Sequence, residues 1–153
     1  PNCNAQLVRA PGVLPADGKR SIVLDLTTDG GQATARQLIA TADVFVTNVR
    51  PDALSRLHLD YPSLAELNPG LVYGLITGYG ETGPDANRPA YDIAAFWARS
   101  GVADLLTRPG DTPPFQRGGM GDHLTGMTLA AAINAAFDAI MRERRAMSLE
   151  GVA

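Results

Sequence analysis

The chain has 153 residues, of which 45% are hydrophobic and 19% are charged, and its formal net charge is −3. This length suits one ordinary domain, and the apolar content is sufficient for a packed core, which excludes a disordered chain. The mildly acidic balance gives no electrostatic reason to bind nucleic acid. The one cysteine, Cys3, excludes an internal disulfide and a cysteine-based zinc site, and we expect no metal.

No segment has the features of a membrane span or an export signal. The longest apolar stretch, over 128–137, contains Asn134 and is predicted to be too short to cross a bilayer. Residues 1–10 lack the basic-then-apolar layout of a secretory signal. We therefore expect a cytoplasmic protein with no membrane partner. Because the first residue is proline, we expect a processed chain or a fragment.

The first half of the chain predicts alternating strands and helices after a loop or flexible arm over 1–20. A β-branched run predicts a buried strand over 21–26, and helical spacing predicts a helix over 32–42 with Thr28 or Asp29 as its cap. A second strand is expected over 44–47. Two short helices and a third strand complete this half, over 51–57, 61–68 and 71–76.

The second half predicts more loop and fewer elements. A Gly- and Pro-rich loop reaches Pro89, a helix is expected over 91–100, and 104–120 is expected to be irregular. A long helix follows over 124–145, and a tail over 147–153. The pattern predicts an α/β domain over 21–146 with a mainly parallel sheet flanked by helices. Three or four strands make a thin sheet, so we expect neighbouring strands from a missing segment or another subunit.

Residues 78–83 (GYGETG) match the spacing of a dinucleotide-binding glycine motif and follow a predicted strand. That motif requires a helix directly after it, whose N-terminus holds the pyrophosphate. Pro84 and the lack of helical spacing over 85–89 disfavour this interpretation. We predict a loop at the carboxyl end of a strand, where open α/β sheets place ligands.

Asp122 follows a glycine-rich stretch, 118–121, at the start of the long predicted helix. Aspartate is a common helix N-cap, and residue type alone favours that structural role. The same position allows a second role, because an aspartate carboxylate can act as a nucleophile and the glycines leave backbone N–H groups open to an oxyanion. His123 is expected to be a surface or capping residue, since adjacent helical residues do not face each other.

Asn48, Arg50 and Arg56 lie just beyond the second predicted strand. Arginines at such an edge can bind phosphates through paired hydrogen bonds. Solvated surface charge is the alternative, and the sequence by itself favours neither interpretation.

Six ordered motifs resemble the class III CoA-transferases, and the match covers residues 17–145. In chain order they are 18–26 (GKRSIVLDL), 42–51 (ADVFVTNVRP), 67–73 (LNPGLVY), 78–84 (GYGETGP), 89–92 (PAYD) and 121–127 (GDHLTGM). The resemblance implies part of the family's Rossmann-like large domain. Family members are more than twice as long and form interlocked ring-like dimers, so the resemblance also implies a truncated relative that is too short to close such a ring alone. We expect a homodimer because truncation leaves an exposed sheet edge that favours pairing with another chain.

The resemblance implies transfer of CoA from an acyl-CoA to a small carboxylic acid through covalent aspartyl intermediates on Asp122. It makes coenzyme A a co-substrate and implies that nine residues contact it: Leu24, Asp25, Leu26, Thr27, Asn48, Val49, Arg50, Arg56 and Tyr91. Two alternatives stay open: an acyl-CoA racemase or isomerase of the same superfamily, and a non-catalytic relative that serves as a binding or assembly module. Racemases have a histidine at the position of Tyr91, and a phenol is a much weaker base near neutral pH, which favours transfer.

Overall fold

The structure is a computed structural model that describes residues 20–150, with side chains described as far as residue 143. The predicted arm, apart from residue 20, and the last three residues of the predicted tail lie outside this range. The elements in chain order are α1 (Asp29–Ala40), β1 (Val44–Thr47), α2 (Pro51–Arg56), α3 (Tyr61–Leu67), β2 (Val72–Leu75), a π-helix (Ile93–Arg99), α4 (Val102–Leu105) and α5 (Met120–Glu150).

The two strands are parallel, and their register runs from Val44 opposite Val72 to Thr47 opposite Leu75. A parallel pair needs a crossover connection, and α2 and α3 supply it between β1 and β2. Both strands therefore end at the same edge of the sheet. The predicted α/β class with a parallel sheet is confirmed.

The core lies between the sheet and the first three helices. Its buried members are Ile39, Leu54, Leu59, Leu64 and Leu71. Leu64 is fully buried on α3, and the side-chain amide of Asn68 at the end of that helix donates to the carbonyls of Ile39 and Ala42. These bonds join the ends of α1 and α3, which fixes the crossover against the sheet.

The prediction of a strand over 21–26 is wrong, because residues 20–25 adopt no regular secondary structure. Ile22 and Val23 are 46% and 50% exposed, although their β-branched side chains predicted burial. A strand needs a neighbour for its backbone N–H and C=O groups, and within residues 20–150 the sheet consists of β1 and β2 alone.

The segment over 91–100 is helical as predicted, but as a π-helix over Ile93–Arg99. Trp97 is the buried residue of this helix, and its indole N–H donates to the Pro114 carbonyl at 2.9 Å. The bond ties the irregular stretch that follows α4 back to the π-helix. A π-helical turn is uncommon and is often found at functional sites.

The long helix α5 begins at Met120, four residues earlier than predicted, and extends to Glu150. Its segment Met120–Glu143 is long and apolar enough to cross a membrane by length and composition alone, so the prediction that no segment has that length was wrong. Core helices of soluble proteins share this composition. A Cβ atom on Gly74 would lie 3.3 Å from Leu129 and 3.5 Å from Ile133, so α5 packs directly on β2.

Candidate functional site

The loops that follow the two strands meet at the carboxyl edge of the sheet. Arg50, after β1, donates from its guanidinium to the backbone carbonyl of Asn87 at 3.4 Å. The side-chain oxygen of Asn87 accepts from the backbone N–H of Asp52 at 3.0 Å. Arg50 precedes α2 and gives that helix no side-chain cap, so Asn87 supplies the cap from the other loop.

The glycine loop over 78–83 does not open a helix. Gly80 and Gly83 have φ values of 91° and 93°, and the Gly80 N–H donates to the Thr77 hydroxyl at 2.8 Å. The next helix begins at Ile93, ten residues after this loop. The loop therefore lacks the helix N-terminus that a dinucleotide pyrophosphate requires, and it borders the sheet edge as predicted.

Beside this loop lies an open cavity of about 320 Å³ that the sequence did not indicate. Asp85 accepts from Arg88 at 3.1 Å and from Arg99 at 2.8 Å, and these hydrogen bonds lower the pKa of the Asp85 carboxyl below its usual value. The Arg99 guanidinium lies 5.6 Å from the centre of the Tyr79 ring. Arg88 is three residues from Asp85, but Arg99 is 14 residues from it, and no local pattern predicts the contacts of Arg99.

The segment over 90–96 is held between two glycines. A Cβ atom on Gly78 would overlap the side chain of Ala90, and one on Gly121 would overlap Asp92 and Phe96. Both contacts therefore require a residue without a side chain. They bring the glycine loop, the 90–96 segment and the start of α5 together at one place.

Asp122 lies in the first turn of α5 with an exposed side chain. It is the third residue of the helix, so the interpretation of Asp122 as an N-cap is wrong. Its carboxylate forms no hydrogen bond or ion pair with the side chains and backbone described over 20–143. The positive end of the helix dipole favours a negative charge there. The side chain is thus available to a ligand.

Gly119 and His123 shape the approach to Asp122. Gly119 has a φ of 80°, a left-handed conformation that a residue with a side chain rarely adopts. Its carbonyl accepts from the His123 N–H at 2.9 Å and also contacts the imidazole Nδ1. His123 is exposed and its ring contacts only the local backbone, so the prediction of a surface residue is confirmed and that of a cap is not.

Asp25, one of the predicted CoA contacts, forms a turn before α1. Its carboxylate accepts from the Thr27 hydroxyl at 2.6 Å and from the Thr27 N–H at 3.0 Å, and these bonds lower the pKa of the Asp25 carboxyl below its usual value. The Leu26 carbonyl accepts from the Gln32 side chain. No hydrogen bond in the described chain joins the predicted contacts over 24–27 to those at the sheet edge.

The remaining predicted CoA contacts are on the surface. Asn48, Val49 and Arg50 follow β1 directly, and Arg56 is the last residue of α2. Tyr91 is 80% exposed and precedes the π-helix. The three ion pairs found among the described side chains include neither Arg50 nor Arg56, so neither guanidinium is paired with a described carboxylate.

Over the part of the chain that the structure describes, no group of three or more His, Cys, Asp or Glu side chains could hold a metal ion. Two buried polar atoms in that part have no hydrogen-bond partner: the Asp92 Oδ2 and the Gln116 Oε1. Asp92 contacts Gly121 at the start of α5, and Gln116 lies four residues before that helix in the sequence. Asp92 belongs to one of the six motifs, although no role was predicted for it, and the sequence did not single out Gln116.

The sequence profile described as CoA-transferase family III matches residues 12–148. The chain is 45% identical over 115 residues to the cinnamoyl-CoA:phenyllactate CoA-transferase of Clostridium sporogenes, covering 75% of this chain and 28% of that protein. It is 44% identical over 126 residues to the succinate–glutarate CoA-transferase of Agrobacterium fabrum, covering 82% and 31%.

Solved structures share the fold. A CaiB/BaiF family protein from Brucella suis superposes with a TM-score of 0.71 at 34% identity, covering 90% of this chain and 39% of that one. The Mycobacterium tuberculosis protein Rv3272 superposes with a TM-score of 0.73 at 33% identity, covering 84% and 36%. The chain thus spans about a third or less of the two curated relatives' length and under two fifths of these solved chains.

Proposed function

The chain belongs to CoA-transferase family III, and from this membership we propose that it carries out the central step of CoA transfer from an acyl-CoA to a small carboxylic acid. The observation that carries the proposal is the exposed carboxylate of Asp122 in the first turn of α5, which has no hydrogen bond or ion pair to the described residues. The names of the relatives pair CoA thioesters with carboxylates, which supports the same class of reaction.

In the proposed reaction the Asp122 carboxylate attacks the thioester carbonyl of the donor. A C–O bond forms, the C–S bond breaks, and the products are an aspartyl-acyl anhydride and the CoA thiolate. The thiolate then attacks the aspartyl carbonyl, giving an aspartyl-CoA thioester and releasing the donor carboxylate. The acceptor carboxylate repeats the two steps in reverse, which yields the new acyl-CoA and restores Asp122. Covalent catalysis divides one difficult exchange into easier steps.

The surroundings of Asp122 suit a bulky thioester. A Cβ atom on Gly118 would meet nothing within 4 Å, and Gly119 has no side chain to obstruct the approach. The positive end of the α5 helix dipole stabilises negative charge on the tetrahedral intermediate.

CoA binding is proposed at the carboxyl edge of the sheet. Arg50 and Arg56 are candidates for the phosphates, since both are exposed and outside the described ion pairs. Asn48, Val49 and Tyr91 offer polar and apolar contacts along the same edge. The turn over 24–27 offers backbone groups, because the Asp25 carboxylate is already engaged by Thr27.

We also propose that the protein works as a homodimer. Leu105, Phe115 and Met127 are large apolar side chains that are more than two-thirds exposed. Within the described residues, both outer edges of the two-stranded sheet lack a partner strand. Exposed apolar surface and open strand edges both favour association with another chain.

The test incubates the chain with acetyl-CoA and a carboxylate acceptor in D₂O. We expect acceptor-dependent formation of a new acyl-CoA, absent in Asp122→Ala and retained in Asp104→Ala, which changes an exposed carboxylate on α4. Deuterium at the α-carbon without an acceptor would overturn the proposal in favour of a racemase. No transfer together with no CoA binding would overturn it in favour of a non-catalytic module.

A further inference from the structure

The N-terminus of α5 is capped by a residue from another part of the chain. The Oδ1 of Asp92 accepts a hydrogen bond of 2.9 Å from the backbone N–H of Gly121, which lies 29 residues further along the chain. That N–H is among the first donors of a helix, which have no partner within the helix itself. Gly119, just before the helix, has no side chain that could accept it.

Close packing also holds Gly121 in place. Gly121 is buried, and a Cβ atom there would overlap Asp92 and Phe96. The backbone before Asp122 is therefore held from one side by a hydrogen bond to the Asp92 side chain and by close contact with the π-helix.

Asp92 also has an acceptor that its capping role does not use. Its Oδ2 is buried and has no hydrogen-bond partner among the described residues. Leaving a carboxylate oxygen buried without a partner is unfavourable, and in native proteins such atoms call for an explanation beyond folding. A Ser hydroxyl would cap the helix without placing a second oxygen in that buried position.

We infer that Asp92 is a positioning residue for Asp122. By holding the Gly121 N–H, Asp92 sets the direction in which α5 begins and hence where the exposed Asp122 carboxylate is presented to the thioester. The role is one of placement, because Asp92 reaches Asp122 through the backbone of the adjacent residue. This inference rests on the proposed function of Asp122 as the nucleophile.

The test compares Asp92→Ala and Asp92→Asn with the matched control Asp104→Ala in the full chain. Amide hydrogen exchange at Gly121 reports the hydrogen bond directly. Mass spectrometry after incubation with acetyl-CoA reports the rate at which the covalent adduct forms on Asp122, and calorimetry reports CoA affinity. Circular dichroism confirms that each variant is folded.

We expect Asp92→Ala to speed exchange at Gly121 by roughly tenfold and to slow adduct formation by at least roughly tenfold, with CoA affinity changed less than about twofold. Asp92→Asn keeps an oxygen acceptor and restores most of both rates, and Asp104→Ala changes neither. Unchanged exchange at Gly121 in Asp92→Ala would overturn the inference, as would an equal loss of CoA affinity and rate. If the wild-type chain binds CoA but forms no adduct, the proposed function fails, and the exchange result still decides whether Asp92 holds Gly121.

Discussion

The side-chain oxygen of Asn87 accepts a 3.0 Å hydrogen bond from the backbone N–H of Asp52, which attaches the loop after β2 to the start of α2. Asp92 makes the corresponding bond to Gly121 at the start of α5. Residues 87–92 thus supply the N-terminal caps of two helices, α2 and α5. Neither helix has a capping side chain in the residue that directly precedes it. Both caps lie beside residues proposed to bind or attack the acyl-CoA.

Replacing Asn87 by Ala should weaken CoA binding, because the Asp52 N–H at the start of α2 loses its side-chain acceptor, although Arg50 keeps its bond to the backbone carbonyl of residue 87. The loss of one hydrogen bond to the backbone corresponds to about fivefold in affinity. Asn87→Asp keeps the acceptor for the Asp52 N–H and should bind nearly as well as the wild type. Titration calorimetry with CoA checks both variants, and equal affinity of Asn87→Ala and the wild type would contradict the arrangement.

Arg56→Ala should weaken binding of CoA by about tenfold while leaving pantetheine binding unchanged, because pantetheine lacks the nucleotide and its phosphates. The matched control is Arg142→Ala, which removes a guanidinium paired with Asp138 on α5. Dissociation constants of both variants for CoA and for pantetheine test this prediction. If Arg56→Ala weakened pantetheine and CoA equally, its assignment to a phosphate would be wrong.

Replacing Gly121 or Gly126 of α5 by alanine should change the free energy of unfolding in opposite directions. Gly121→Ala forces a Cβ atom into Asp92 and Phe96 and should lower the free energy of unfolding by about 1–3 kcal/mol. Gly126→Ala meets nothing within 4 Å and should raise it by about 0.5–1 kcal/mol, since alanine is the better helix former. Urea unfolding measures both changes, and a stable Gly121→Ala protein would show that α5 does not begin in close contact with the π-helix.

Asp60 caps α3 by accepting from the Ser63 N–H at 3.0 Å, and this bond lowers the pKa of the Asp60 carboxyl below its usual value. A lowered folded-state pKa gives stability that is present above the unfolded value, about 3.9, and is lost as pH falls through the folded value. Asp60→Ala should therefore cost about 1 kcal/mol at pH 7.

The contribution of the Asp60 cap to the free energy of unfolding should decrease as the pH is lowered. Asp60→Asn keeps a capping oxygen without a titrating group, so its deficit relative to the wild type should shrink as the pH falls below about 4. Unfolding free energies measured in steps of acid pH check this direction. A deficit that grew toward low pH would contradict the role of the ionised carboxylate.

Local patterns predicted much of the fold correctly. The helices α1, α2 and α3 and the strands β1 and β2 follow from apolar spacing and capping residues within each segment, and Thr28 caps α1 as one of the two predicted choices. These signals act over a few residues, so a sequence displays them directly.

The errors concern partners that are distant in the sequence. The run over 21–26 has the composition of a strand, but a strand depends on a neighbour that composition does not reveal. The glycines before Asp122 indicated an irregular stretch, yet α5 begins at Met120 because Asp92, far back in the chain, caps Gly121. Nothing in the spacing indicated that Asn87 and Asp92 act as caps, since each acceptor serves a helix from another segment.

The most direct test of Asp122 as the nucleophile is to trap its covalent intermediate. The chain is incubated with acetyl-CoA, treated with hydroxylamine, digested and analysed by peptide mass spectrometry. We predict a hydroxamate on Asp122, because hydroxylamine displaces CoA or acetate from an aspartyl thioester or anhydride. The modification should be lost in Asp122→Ala and retained in Asp104→Ala. A chain that binds acetyl-CoA yet shows no hydroxamate, or one on another residue, would contradict this account.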